Sequence, residues 1–137
     1  MVYSKTVEIP AEFIKRNRTV KLAFDEIYNV AQVSVNGENV AVLWTPPFEC
    51  DITKFIKEGE NKLSVRVANL WVNRIIGDQL LPVENYPKWV LENKTVSETK
   101  RFTSSHWHNS WPKNSPLKKS GIVGTAEIKA VDIIPLK

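Results

Sequence analysis

The chain has 137 residues, of which 42% are hydrophobic and 25% charged, which is ordinary for a globular protein of one domain. No apolar run approaches the roughly 18 residues that a membrane helix needs, and the first residues lack a signal-peptide pattern. The net charge of +4 comes from basic residues interspersed with acids, which argues against a nucleic-acid partner. Cys50 is the only cysteine, so no internal disulfide can form, and its alternation with Phe48 and Ile52 predicts burial.

Short stretches of alternating apolar and polar residues recur along the chain and predict β-strands. Pro10 ends the first of them, and Asn36 with Gly37 forms the strongest hairpin signal, because both residues tolerate the positive φ of a type I′ turn. Residues 73–120 lose this periodicity, which is typical of a segment that is either functional or packed by its own side chains, and their three tryptophans predict a packed rather than a disordered segment. The strands are predicted at residues 3–9, 19–24, 31–35, 38–44, 48–53, 62–67 and 124–134. This pattern predicts an all-β fold, an antiparallel β-sandwich.

Residues 33–53 and 58–78 carry a recognisable signature. They resemble the sugar-binding jelly-roll domain of glycoside hydrolase family 2 and its relatives. The motifs LW-x-PPF (43–48), NLWVNR-x-IGD (69–78) and SG-x-x-G (120–124) resemble most closely the C-terminal domain of family 106 α-L-rhamnosidases. The positions that match the family 2 pattern are Val33, Val35, Asn36, Gly37, Pro47, Phe48, Asp51, Ile52, Thr53, Gly59, Asn61, Leu63, Val65 and Val67.

The resemblance implies an eight-stranded jelly roll of the galactose-binding type, with one domain over residues 1–137, cut from a larger bacterial glycoside hydrolase that is secreted or periplasmic. It also implies a noncatalytic accessory role, in which the domain docks onto a separate catalytic domain. The sequence agrees with this role, because glycoside hydrolysis needs two carboxylates across a cleft and no convincing pair is present. No metal or other cofactor is expected, although the fold family implies that a structural calcium could be held.

The polar and aromatic cluster after the sixth predicted strand has two interpretations. Trp71, Asn73, Arg74 and Asp78 suit a sugar site, because indole faces stack on pyranose rings and planar polar groups match hydroxyl pairs. Alternatively, Arg74 and Asp78 form a buried ion pair that holds the loop, while Trp71 covers the end of the core. Strict alternation would place Asn69 and Trp71 on the core face, so we favour the structural interpretation.

Four other aromatic or histidine residues are candidates for glycan binding. Trp44, before the Pro-Pro turn, is expected to be a lid on the core rather than an exposed platform. Trp107, His108 and Trp111 lie in the irregular segment, where they could bind a glycan or insert into a neighbouring domain, and we expect one of these tryptophans to be exposed. His106 and His108 lack neighbouring acids or cysteines, which disfavours a zinc site.

The function predicted from the sequence is therefore an accessory domain that docks on the catalytic domain of a rhamnosidase-like enzyme and possesses a candidate glycan-binding face for a plant-type polysaccharide or oligosaccharide. One alternative is a lectin-like module that binds such glycans by itself. The other is a small glycosidase in its own right, which the lack of a carboxylate pair disfavours. No membrane or nucleic-acid partner is expected.

Overall fold

The computed structural model describes residues 1–78 and 114–135, and these fall into two compact units. The first contains residues 1–69 and 120–135, and the second contains residues 70–78 and 114–119. The described strands are β1 (Val2–Ile9), β2 (Arg18–Tyr28), β3 (Val30–Val35), β4 (Glu38–Leu43), β5 (Glu49–Asp51), β6 (Gly59–Ala68) and β7 (Gly121–Asp132). A 3₁₀ turn spans Ala11–Phe13 and the helix α1 spans Val72–Asp78.

The seven strands of the first unit form two antiparallel sheets. The larger sheet has the order β1-β6-β3-β4 and the smaller one β5-β2-β7. Every strand pair is antiparallel. The predicted antiparallel β-sandwich is confirmed, and the described residues contain seven strands against the eight of the expected jelly roll. Neither of the described helices is long and apolar enough to span a membrane.

Side chains from both sheets form the core because each strand directs alternate residues inward. Val33 and Val35 of β3 face Val20 of β2, and all three are fully buried. Cys50 also lies in this core, as predicted. Burial raises the pKa of its thiol to about 11, with a smaller contribution from the negative charges of Asp51 and Glu49.

The predicted turn at Asn36 and Gly37 is confirmed, since the two residues have φ values of 52° and 91°. Its asparagine is exposed but hydrogen-bonds to the buried Asn61 and to two backbone groups. Asn36 Nδ2 donates to Phe55 O (2.8 Å) and to Asn61 Oδ1 (2.9 Å), while Asn36 Oδ1 accepts from Lys62 N (2.9 Å). These bonds join the β3–β4 turn to the start of β6.

Asn61 is fully buried, and its side-chain amide accepts two hydrogen bonds and donates two. Its Oδ1 accepts from Asn36 Nδ2 and from Lys57 N (2.9 Å), and its Nδ2 donates to Lys57 O (2.6 Å) and Gly59 O (2.8 Å). A buried amide is tolerated only when it is satisfied in this way. Asn61 therefore serves the fold.

A second set of signature residues shapes the turn after β5. Asp51 Oδ1 accepts from the backbone N (2.9 Å) and the hydroxyl (2.5 Å) of Thr53, and these bonds lower the pKa of the Asp51 carboxyl. Thr53 Oγ1 in turn accepts from Val20 N (2.8 Å), and Ile52 between them is fully buried. The Asp-Ile-Thr motif thus fastens β5 to β2.

The structure corrects two expectations about tryptophans. Strand β6 ends at Ala68, so alternation does not continue to Asn69 and Trp71, and Trp71 is 74% exposed instead of covering the core. Trp44, which was expected to be a lid, is 70% exposed because β4 ends at Leu43 and the chain then turns away at the prolines. Both indoles are therefore available to contact a partner.

Candidate functional site

The outer face of the four-stranded sheet is a candidate site within the first unit. Val42 and Trp44 lie on this side of β4, because Leu43 between them is buried in the core, and they are 58% and 70% exposed. Strand β4 is an edge strand whose described neighbour in the sheet is β3. Exposed apolar side chains at the edge of a sheet are typical of a contact surface.

Polar side chains lie beside these apolar ones in register. Gln32 is directly opposite Val42, and Ser34 is opposite Asn39. Gln32 Nε2 (3.0 Å) and Ser34 Oγ (2.9 Å) both donate to Asn39 Oδ1. The two bonds fix the Asn39 amide, and within the described part of the chain its Nδ2 group takes part in no hydrogen bond.

Two cations of β6 share the same face. Arg66 pairs in register with Gln32, and Lys62 lies four residues away along the strand. Across residues 1–78 and 114–135, neither side chain has a hydrogen bond or an ion pair. The acids on this face, Glu8 and Glu60, are opposite each other at the end of the sheet, about 20 Å from Arg66 by strand rise.

The side chains of the two asparagines in the NLWVNR motif form hydrogen bonds with backbone groups. Asn69 Oδ1 accepts from Gly121 N at 3.0 Å in the first unit. In the second unit, Asn73 Nδ2 donates to Lys118 O and Asn73 Oδ1 accepts from Lys118 N, both at 2.7 Å. These bonds tie residues that are 52 and 45 positions apart in the sequence. Asn73 is thus engaged in the structural role that we favoured for the cluster.

The remaining predicted site residues are placed only in part. Arg74 is exposed on α1 and takes part in an interaction, whereas the structural interpretation expected a buried side chain there. The side chain of Asp78, and with it the proposed Arg74–Asp78 pair, lies outside the described residues. The same holds for Trp107, His108 and Trp111, so their predicted exposure and glycan contacts stay predictions.

The glycines of the SG-x-x-G motif have a structural explanation. Gly121 and Gly124 have φ values of 84° and 85°, which residues with a side chain rarely adopt. A Cβ at Gly124 would also lie 2.8 Å from the Cβ of Asp25, whose carboxylate accepts from Thr125 N at 2.7 Å. The motif therefore sets the path of β7 beside β2, where their register shifts.

Two other kinds of site were sought within the described residues. An open groove of about 460 Å³ lies between the two sheets near β1 and β7. Its lining is mostly aliphatic and aromatic, including Leu22, Phe24 and Ile128, with few polar groups that could orient a ligand. The described ranges contain no group of three or more histidine, cysteine or acidic side chains suited to a metal ion.

Comparison with known proteins identifies the kind of domain. Residues 1–105 match the family model of the glycosyl hydrolases family 2 sugar-binding domain. The chain belongs to this family. Its Asn36, Asn61, Asp51 and Thr53, which the sequence pattern shares with the family, are all used in structural hydrogen bonds.

Two relatives show how this domain fits into longer proteins. A protein of Formosa agariphila named "Putative beta-glucuronidase" is 36% identical over 138 residues, which cover 94% of this chain and 12% of that protein. The solved structure of a rhamnosidase from Novosphingobium sp. PP1Y has a similar fold with a TM-score of 0.71 and 29% identity, over 95% of this chain and 11% of that one. The predicted resemblance to both groups is confirmed. This chain spans about an eighth of the curated relative's length.

The sequence reasoning missed Gln32, Asn39, Val42 and Arg66 as candidate contact residues. Alternation did place Gln32 and Arg66 away from the core, which was a usable signal. Nothing in the sequence gave the register that brings them into one row with Val42.

Proposed function

We propose that this chain is a noncatalytic accessory domain of a larger glycoside hydrolase and that it docks on the catalytic domain of its parent. The observation that carries the proposal is how little of each relative's length this chain covers. Nearly the whole chain aligns with about a tenth of two proteins named as a glucuronidase and a rhamnosidase. A domain of this share in a long chain has neighbours, and inter-domain contacts form on its surface.

The substrate of the parent belongs to the same proposal. Similarity of fold supports a rhamnosidase, as the sequence motifs predicted, whereas the curated sequence relative is named a glucuronidase. We retain the rhamnosidase assignment, with the C-terminal position in the parent, as the hypothesis to test. Fold alone does not assign a substrate.

The test begins with the complete reading frame around residues 1–137 and with the parent protein expressed with and without this segment. We expect the isolated chain not to turn over aryl rhamnosides or glucuronides, and the remainder of the parent to bind it in trans. A reading frame that encodes no catalytic domain would favour a lectin-like module. Turnover by the isolated chain that is lost when one acid is replaced would favour an enzyme.

A further inference from the structure

We infer that the outer face of the β1-β6-β3-β4 sheet binds an acidic glycan, with Trp44 stacking on a sugar ring and Arg66 binding its carboxylate or sulfate. This inference rests on the proposed function, because an accessory domain can bind a glycan only on a face that docking leaves open. The ligand class is an oligosaccharide with an anionic pyranose. The family signature residues do not carry the site, since they are engaged in the fold.

The aromatic part of the surface suits the apolar face of a pyranose. Trp44 is 70% exposed, and Val42 beside it on the same side of β4 is 58% exposed. Indole rings are large and rigid, so stacking on them costs little conformational entropy. Prolines at positions 46 and 47 follow after Thr45 and restrict the backbone on the C-terminal side of Trp44.

The polar part supplies directional hydrogen bonds at a fixed position. Asn39 is held by Gln32 and Ser34 through its Oδ1, which leaves its Nδ2 donors to point away from these partners. Gln32 donates to Asn39 through its Nε2, and its Oε1 remains as an acceptor. Sugar hydroxyls both donate and accept, so this pair of amides is a suitable partner for them.

The charge on the face selects an anion. Arg66, Gln32 and Val42 form one register row, so Arg66 and Val42 are about 10 Å apart across two strand spacings. A chain that stacks on Trp44 can therefore place a neighbouring acidic group at Arg66. The guanidinium binds carboxylate and sulfate oxygens with two parallel bonds, and no acid among the described residues already neutralises it.

The experiment is affinity gel electrophoresis of the full 137-residue chain in gels that contain one polymer each. The polymers are polygalacturonate (carboxylated), carrageenan (sulfated), a neutral galactan and poly-L-glutamate (acidic without sugar rings). We expect retardation by at least one acidic polysaccharide, and which of the two retards more strongly identifies the anion. Equal retardation by the neutral galactan or by poly-L-glutamate would overturn the inference.

Variants then locate the site. Trp44→Ala and Arg66→Gln should each weaken binding about tenfold, because one removes stacking and the other a charge-assisted hydrogen bond. The matched controls Ile134→Ala and Arg16→Gln remove an exposed apolar side chain and an exposed charge elsewhere, and should leave binding unchanged. An equal loss in Arg16→Gln, or a loss in Trp71→Ala without one in Trp44→Ala, would contradict this placement.

Docking measured with the same variants separates this inference from the proposed function. If Trp44→Ala weakens binding to the remainder of the parent and no polysaccharide is retarded, the face is a docking surface and the glycan site is wrong, whereas the accessory role stands. If the chain binds acidic glycan but not the remainder of the parent, docking is wrong and the glycan face stands. Thermal melts of both variants should match the wild type, because the two side chains are exposed.

Discussion

Asparagine side chains replace missing backbone partners in two regions of the molecule, but the surroundings of the two regions differ. At the β3–β4 turn, Asn36 and Asn61 join three segments, and Asn61 is fully buried with all its bonds made. In the NLWVNR motif, Asn69 of the first unit and Asn73 of the second each make the same kind of bond at partly exposed positions. The bond lengths are similar in both regions.

The difference lies in what replaces a lost bond. Water can satisfy a partly exposed carbonyl or amide, so removal of its partner costs little. A buried group has no such replacement and loses its full hydrogen-bond energy, so we expect substitution of Asn61 to be costly. Burial, rather than bond number or length, therefore sets how much each asparagine contributes to stability.

The largest expected effect follows from Asn61→Ala. The change leaves Lys57 N, Lys57 O and Gly59 O without their partner, and we expect a loss of about 3–4 kcal/mol in the free energy of unfolding. Urea denaturation measures it. Asn17→Ala, an exposed asparagine in the turn before β2, is the control and should stay within about 0.5 kcal/mol. Similar losses in both variants would contradict the role assigned to burial.

The next largest effect is expected from substitutions of two glycines, which distinguish backbone strain from side-chain crowding. Gly37 and Gly124 both have positive φ, but a Cβ at Gly37 meets nothing within 4 Å, whereas one at Gly124 overlaps Asp25. We expect Gly124→Ala to cost roughly 2–3 kcal/mol, and Gly37→Val about 1 kcal/mol or more. Chemical denaturation of both variants tests the order. A neutral Gly37→Val would show that the turn can relax to another type.

Asn73→Ala tests the exposed counterpart of Asn61. Its two bonds to Lys118 are accessible to water, so we expect global stability to fall by less than about 1 kcal/mol. Amide hydrogen exchange at Lys118 should nevertheless accelerate, because the Lys118 N–H loses the Asn73 oxygen as its hydrogen-bond acceptor. Asn73→Asp keeps that acceptor and is the matched control. Unchanged exchange in Asn73→Ala would mean that other contacts hold this backbone.

Local patterns predicted most of the sandwich. The inward alternation of Val33 and Val35 and the Asn36–Gly37 turn depend on neighbouring residues, so the sequence alone was sufficient for them. The network of Asn36 with Asn61 spans 25 positions, and a motif could mark both residues without showing that they touch. Their shared role became visible only through the register of the strands.

The candidate site was harder to predict, because exposure depends on what covers a residue. Trp44 follows an apolar strand and has the composition of a core lid, yet β4 is an edge strand and nothing described lies over its end. Trp71 continued the alternation of β6 in sequence, but the backbone turned into α1. Periodicity cannot show where a strand stops when the next residues are also apolar.

The smallest expected effect concerns an exposed ion pair between chain segments 114 positions apart. Arg18 Nε and Nη2 donate to the two oxygens of Asp132 at 2.6 and 2.9 Å, and these bonds lower the pKa of the Asp132 carboxyl. A lowered pKa in the folded state gives stability that is present above the unfolded pKa, near 3.8, and is lost as the pH falls below it.

We expect Arg18→Gln and Asp132→Asn to flatten the acid side of the stability–pH profile equally, and the double variant to add nothing. The effect should shrink in 1 M salt, since exposed charges are screened. A profile that Arg18→Gln leaves unchanged at low salt would show that this bidentate pair, despite its geometry, contributes nothing to holding β2 against β7.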